Sequence, residues 1–332
     1  MEQFLTWVEN TTERYLTKRK ARKAYEKGKK WTLLGEIWSW VDALIFGVFW
    51  VIIINQFLFQ LFVIPSPSMV STLLVGDRVV VNKDAYGVEI YPGGPKVFAD
   101  NNRVQRDDII TFYNPEYESK GPFFDILSQA VFMGTLTLVN IDKNADGTMA
   151  ERLYVKRAAG IGGDQIRFVD GNVLIKAGGS DEFVTEESFR ADNNLSSGPN
   201  RSVPADKYAG LKAAARLGVY NDLGIGFPSY LVNEYKSIAN TEWDYRFDIY
   251  EYRHQFAAME TQVDPSNMSY RSELGKYEAG IYVPTGYVLP LGDNRDNSQD
   301  GRYFGPVKES RFNGHVIARF LPISRRAILT DD

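Results

Sequence analysis

Cysteine is missing from all 332 positions, which excludes disulfides, thiolate metal ligation and a cysteine nucleophile, and leaves the redox compartment open. Histidine is nearly missing too. His254 and His315 stand far apart without metal-ligand spacing, so acid/base chemistry falls to Lys, Asp, Glu or Tyr. There is no excess of positive charge: a formal net charge of −4 does not suit a general nucleic-acid binder, which neutralises phosphates with clustered Lys and Arg. Long apolar runs are scarce, with one clear exception.

That exception, ALIFGVFWVIIINQFLFQLFVI over residues 43–64, would span about 33 Å as a helix, enough for the hydrocarbon core of a bilayer. It starts too far from the N-terminus, and ends at Pro65 rather than at small residues, to be a cleavable signal peptide. A transmembrane helix is predicted here, with Asn55, Gln56 and Gln60 weakening its distal half so that it surfaces early. Upstream, nine Lys and Arg between Arg14 and Lys30 stand against Glu13 and Glu26, so residues 1–42 are expected to remain cytoplasmic while the C-terminal body crosses. A second apolar stretch, Phe123 to Val139, is short and carries Asp125, Ser128 and Gln129. It reads as core strands or a membrane-touching hairpin.

Beyond the anchor, short runs rich in Val, Ile, Phe and Tyr alternate with Gly, Asp, Asn and Pro: DRVVVNK, DIITFYN, RLYVKRAAGI, QIRFVDGNVLI, IYVPTGYVLPL and GHVIARFLP. Such runs predict a mainly β fold, an all-β domain in two parts, 65–175 and 281–332. Asp170-Gly171 between apolar runs signals a hairpin with a type I′ turn. The polar interval 176–280 reads as an inserted, non-catalytic lobe, partly helical near Glu234 to Met259.

Three islands carry candidate chemistry. In FVIPSPSMVSTLLVGDRVVVNK, Pro65 and Pro67 stiffen the chain around Ser66 and Ser68, as a pre-organised nucleophile requires, although Ser and Pro are also ordinary turn residues. In LYVKRAAGIGGD, Lys156 sits within an apolar strand next to Arg157. To serve as a base near neutral pH its amine must fall from about 10.4 to about 7, roughly 4 kcal/mol of destabilised ammonium, and apolar neighbours and Arg157 both push that way. From this island alone, a surface lysine snorkelling from a strand edge is the better reading. GIGGD lacks the spacing of a phosphate loop and reads as a strand-to-strand turn. In GDNRDNSQDGRYFGPV, the acidic residues lack the terminal Glu of a calcium loop and are interleaved with Arg295 and Arg302, so the block is either a solvent loop or a hydrogen-bonded scaffold.

Taken in order, these islands resemble the signature boxes of the bacterial type I signal peptidases: PS-x-SM-x-PTL-x-x-GD after a membrane anchor, then YxKR, then GDNR-x-x-S-x-D-S-R-x-(F/W)G. The resemblance implies a Ser/Lys dyad serine protease, without a cofactor, in which Ser68 is the nucleophile and Lys156 the general base. It implies an oxyanion hole from the Ser68 N–H and the Ser66 side chain, and a base-orienting hydrogen bond from Ser298 to Lys156. Asp300, Arg302 and Arg157 would form a structural charge network. Phe62, Ile64, Pro65, Met69, Leu73, Val79, Tyr154 and Val155 would line shallow pockets that admit only small side chains, the family's small-x-small rule. Implied partners are preproteins with signal peptides, membrane lipid and the secretion machinery, with no nucleic acid. The implied location is the bacterial inner membrane, single-pass, with the catalytic domain on the periplasmic or extracellular side. The chain departs from the boxes at Pro67 (usually Gly), Ser71 (usually Pro), Gly301 (usually Ser) and GIGGD (usually GLPGD). Rival readings are a β-domain that binds exported proteins without cleaving them, a self-cleaving repressor, and a serine protease using His254 or His315 as base.

Overall fold

The computed structural model describes residues 12–21, 33–97, 104–135, 139–143, 147–148, 150–195, 198–201, 203–240 and 249–329. Two compact units divide at Val51/Ile52. Helix α1, Leu33–Phe57, contains the one described helix long and apolar enough to cross a membrane, Gly35–Phe57. The expected span of 43–64 is thereby shifted. The helix begins ten residues earlier, and its last expected third becomes strand β1, Phe59–Val63, paired along its length with β2, Arg78–Asn82. Asn55, Gln56 and Gln60 mark the place where hydrocarbon no longer suits the chain.

The second unit is built on an antiparallel sheet. After the small ribbon of β3, Val88–Glu89, and β4, Lys96–Val97, come β5, Ile109–Tyr113, and β6, Leu153–Gly160. A hairpin follows, β7, Gln165–Val169, and β8, Asn172–Lys176, with Asp170 and Gly171 both at positive φ as the sequence required. Strand β9, Val184–Thr185, extends it. The chain returns as β10, Ile281–Tyr282, β11, Tyr287–Leu291, β12, Val307–Lys308, β13, Phe312–Leu321, and β14, Ala327–Ile328. The main sheet runs β1-β2-β13-β5-β6-β11-β12, with β14 on β13. Alternate residues of its central strands enter different cores: Ile109 and Val155 pack with Ile64, Met69, Leu73 and Val79, whereas Ile110 and Ala158 pack with Phe112, Val288 and Phe312. Burial on both faces explains why β5 and the second half of β6 read as nearly continuous apolar runs.

One stretch differs from expectation, and a second proves more helical than its sequence suggested. Residues read as strands or a hairpin form a helix, α2, Pro122–Gly134. The inserted lobe is helical: α3, Glu186–Asp192, α4, Tyr208–Asp222, α5, Ser229–Lys236, α6, Ile249–Val263, and α7, Met268–Ala279. Its small core of Val203, Tyr208, Leu211, Ala214 and Ile238 comes from apolar residues too widely spaced to stand out in a polar sequence. Of Glu234 to Met259, residues 241–248 lie outside the described residues, 234–236 and 249–259 are helical, and 237–240 form a turn.

Candidate active site

Ser68 lies in a single 3-10 turn, Pro67–Met69, entered from β1 through Ile64 and Pro65. Pro67 at the start of that turn suits a fixed φ, and Ile64 and Met69 bury their side chains in the core to hold it down. Lys156 lies on β6 opposite Ile110 of β5. The two side chains meet: Lys156 Nζ stands 2.6 Å from Ser68 Oγ, with Lys156 only 4% exposed and Ser68 8%. Ser66 Oγ lies 3.3 Å from Ser68 Oγ.

Burial is the main force on the amine. It lowers the Lys156 pKa from 10.5 to about 8, against the carboxylates of Asp300, Glu151 and Asp293, which favour the ammonium, and with help from the Arg302 charge. Arg157 does not play the part expected of it. Alternation along β6 sends it to the other face, where its guanidinium binds Asp293 at 2.7 Å and Asp107 at 2.9 Å. It closes a buried charge network with Asp293 and Asp107, and the positive charge that helps lower the Lys156 pKa is that of Arg302.

The third island folds around the serine turn. Asn294 donates its backbone N–H to the Ser68 carbonyl at 3.0 Å, and Asp293 accepts from Thr72 Oγ1 at 2.5 Å. Asp300, fully buried, caps helix α8, Gly301–Phe304, accepts from the Gly292 N–H at 3.0 Å and is gripped by Arg302 at 2.9 and 3.0 Å. Burial alone would raise its pKa, but Arg302 and the Gly292 bond outweigh it and hold the carboxyl below its usual value. Gly292 must be glycine: an added Cβ would lie 2.1 Å from Ser298 Oγ and 2.6 Å from the Ser68 carbonyl oxygen. Ser298 and Ser68 therefore sit side by side. The expected hydrogen bond from Ser298 to Lys156 is not made, and Ser298 Oγ is buried without a partner among the described residues. Gly301, a departure from the family boxes, packs where a Cβ would come within 2.8 Å of the Pro290 carbonyl, too close for the usual Ser without a shift.

A cleft of about 170 Å³ opens over the dyad. Phe62, Ile64, Pro65, Met69, Tyr154 and Val155 line it as expected, together with Ser66, Ser68 and Lys156. Leu73 and Val79 do not: both are wholly buried beneath the floor, packed on Ile64 and Met69. Glu151, Leu153, Asn297 and Gln299 also line it and were not foreseen, although Glu151 and Leu153 only continue β6 backwards from Tyr154. Neither His254 nor His315 lines the cleft, which leaves the histidine-base reading without support. The lobe also reaches the third island: Glu186 binds Arg295 at 2.5 and 3.0 Å, and Arg201 binds Asp296 at 2.6 Å. These braces had no motif to announce them.

Along one side of the cleft runs β1, an edge strand paired only with β2; along the other run residues 153–156 of β6, paired with β5 alone. Two open strand edges therefore face a channel that ends at a serine and a desolvated lysine, an arrangement suited to cutting an extended peptide.

Comparison with known proteins agrees. The family described as "Signal peptidase, peptidase S26" matches residues 37–321. Signal peptidase I of Haemophilus influenzae is 28% identical over 278 residues, covering 83% of this chain and 67% of that protein. Signal peptidase I of Buchnera aphidicola subsp. Acyrthosiphon pisum is 27% identical over 278 residues, covering 80% and 69%. Signal peptidase I of Aquifex aeolicus is 23% identical over 285 residues, covering 80% and 76%.

Proposed function

The chain belongs to the signal peptidase family, peptidase S26, and from that premise we propose that it cleaves preproteins by Ser/Lys dyad chemistry after small-x-small residues. The observation that carries the mechanism is the 2.6 Å approach of Lys156 Nζ to Ser68 Oγ in a buried setting. The neutral amine accepts the hydroxyl proton as Oγ attacks the scissile carbonyl. The Ser68 N–H and the Ser66 hydroxyl stabilise the resulting oxyanion. The ammonium then returns its proton to the leaving amine, and an acyl-enzyme on Ser68 is hydrolysed by a water deprotonated by Lys156. Ser298, beside Ser68 with a free buried hydroxyl, helps position the base once substrate closes the cleft.

Substrate enters as an extended strand between β1 and β6, with its small side chains over the floor of Ile64, Met69 and Val155. The basic segment before α1 keeps the N-terminus cytoplasmic, and the body faces the other side of the bacterial inner membrane, close to the point where a signal peptide emerges. The secretion machinery would deliver that substrate. The test is preprotein cleavage by the membrane-embedded full chain: Ser68→Ala and Lys156→Ala are expected to abolish it while each protein stays in the membrane fraction. Normal cleavage by either variant refutes the dyad.

A further inference from the structure

Helix α2 is packed inside out. Its polar residues face inward: Asp125 accepts from Ser119 Oγ at 2.5 Å and from Arg152 at 3.0 Å, and Arg152 also meets Ser128 at 3.0 Å and Asp142 at 2.7 Å. Three of its apolar residues face outward, Phe123 81% exposed, Ile126 47% and Leu127 44%. The spacing 123, 126, 127 places these three on one helical face. A helix against a water-facing protein core has the reverse pattern, because apolar area is stabilised by leaving water and buried polar groups only by finding partners.

One contact sets α2 against the end of α1. Gln129 Nε2 donates to Gln56 Oε1 at 3.2 Å, and Gln56 belongs to the last turn of α1, where the apolar helix ends. Leu58 and Phe59, immediately after α1, are also exposed. Lys120, just before α2, stands 5.0 Å over the Phe124 ring and pairs with Asp142 at 3.0 Å.

We infer that α2 is an interfacial helix that lies on the lipid bilayer beside the exit of α1, burying Phe123, Ile126 and Leu127 among acyl chains. Arg152 ties this helix to β6 four residues before Lys156, so the lipid contact holds the cleft at the membrane surface. The inference rests on α1 being the bilayer anchor, but not on the dyad chemistry.

Because the chain has no cysteine, single labels are introduced cleanly. Phe123→Cys, Ile126→Cys, Ser180→Cys and, as an anchor control, Phe49→Cys are each labelled with an environment-sensitive fluorophore in the full chain. The proteins are placed in phosphatidylethanolamine/phosphatidylglycerol vesicles. Lipid-borne spin labels are expected to quench positions 49, 123 and 126 strongly and 180 weakly, with iodide showing the opposite order. Quenching at 49 but iodide access at 123 and 126 equal to that at 180 overturns the inference alone. Lipid quenching at neither 49 nor 123 overturns the anchor reading and the inference with it. Shielding of 123 from both quenchers means that protein covers the face and also overturns it.

Discussion

The sheet buries two lysines, and only one of them is poised to react. Lys83 is as deeply buried as Lys156, and burial lowers its pKa too. Its counterpart is Glu89, 3.9 Å away, whose charge favours the ammonium. Glu89 in turn accepts from Tyr113 at 2.6 Å and from the Gly93 N–H at 3.3 Å, and neither Lys83 nor Glu89 lines the cleft over the dyad. Lys156 has an alcohol as its direct partner, carboxylates only at longer range, and an open cleft above it. Burial thus makes an amine reluctant to hold a charge in both places. The partner and the access decide whether that reluctance becomes structure or chemistry.

The sharpest way to break this contrast is substitution. Lys156→Ala should lower preprotein cleavage by roughly 10³-fold or more, whereas Lys83→Met should leave the rate of the folded enzyme within a few-fold. Equal losses of kcat/KM per folded molecule would erase the distinction.

Stability should move the opposite way. The Lys156 pKa of about 8 lies below its ordinary 10.5, so the buried ammonium penalises the fold below pH 8 and the penalty lifts as pH rises towards 10.5. Lys156→Met is therefore expected to stabilise at pH 7, by up to about 3 kcal/mol before the lost Ser68 hydrogen bond is subtracted, with the gain gone by about pH 10.5. Lys83→Met leaves Glu89 with only the Tyr113 and Gly93 donors and the Lys96 charge, and should cost up to about 3 kcal/mol at pH 7. Thermal unfolding of the two variants between pH 6 and 11 checks both signs.

The pH dependence of kcat/KM should rise with a midpoint near 8, as Lys156 in the free enzyme loses its proton. Glu151 lines the cleft and favours the ammonium, so Glu151→Gln should move that midpoint down, and an upward move would contradict the assignment. The smallest effect is expected for Ser298→Ala, a loss of about tenfold in kcat with KM nearly unchanged. A change confined to KM would give Ser298 a binding role instead.

Much of the site could be read from the chain because its key residues lie in short, continuous islands. Pro65, Pro67 and Met69 shape the serine turn locally, and the apolar residues around Lys156 permit its burial without deciding it. The direction of Arg157 was readable as well, since neighbours on a strand face opposite ways, but its partners Asp107 and Asp293 come from distant loops. Leu73 and Val79 match the family positions yet lie under the cleft floor, because alternation alone does not tell a lining layer from the layer below it. Helix α2 was misread since its polar residues looked like interruptions of an apolar run when they are its inward face. The lobe's braces, Glu186 to Arg295 and Arg201 to Asp296, depend on where an insertion folds back, which no local pattern records.

Composition and local pattern were enough to establish an apolar anchor, a β-rich body without thiol or histidine-metal chemistry, and two serine- and lysine-bearing islands. They did not distinguish VVVNK from LYVKR, since both runs supply the apolar neighbours that permit a buried lysine stem. The choice between a lysine facing Glu89 and one facing Ser68 across 88 residues came from the order in which the strands close. Apolar neighbours on a strand permit a lysine stem to be buried, whereas its desolvation and the identity of its partner are properties of the whole chain's path.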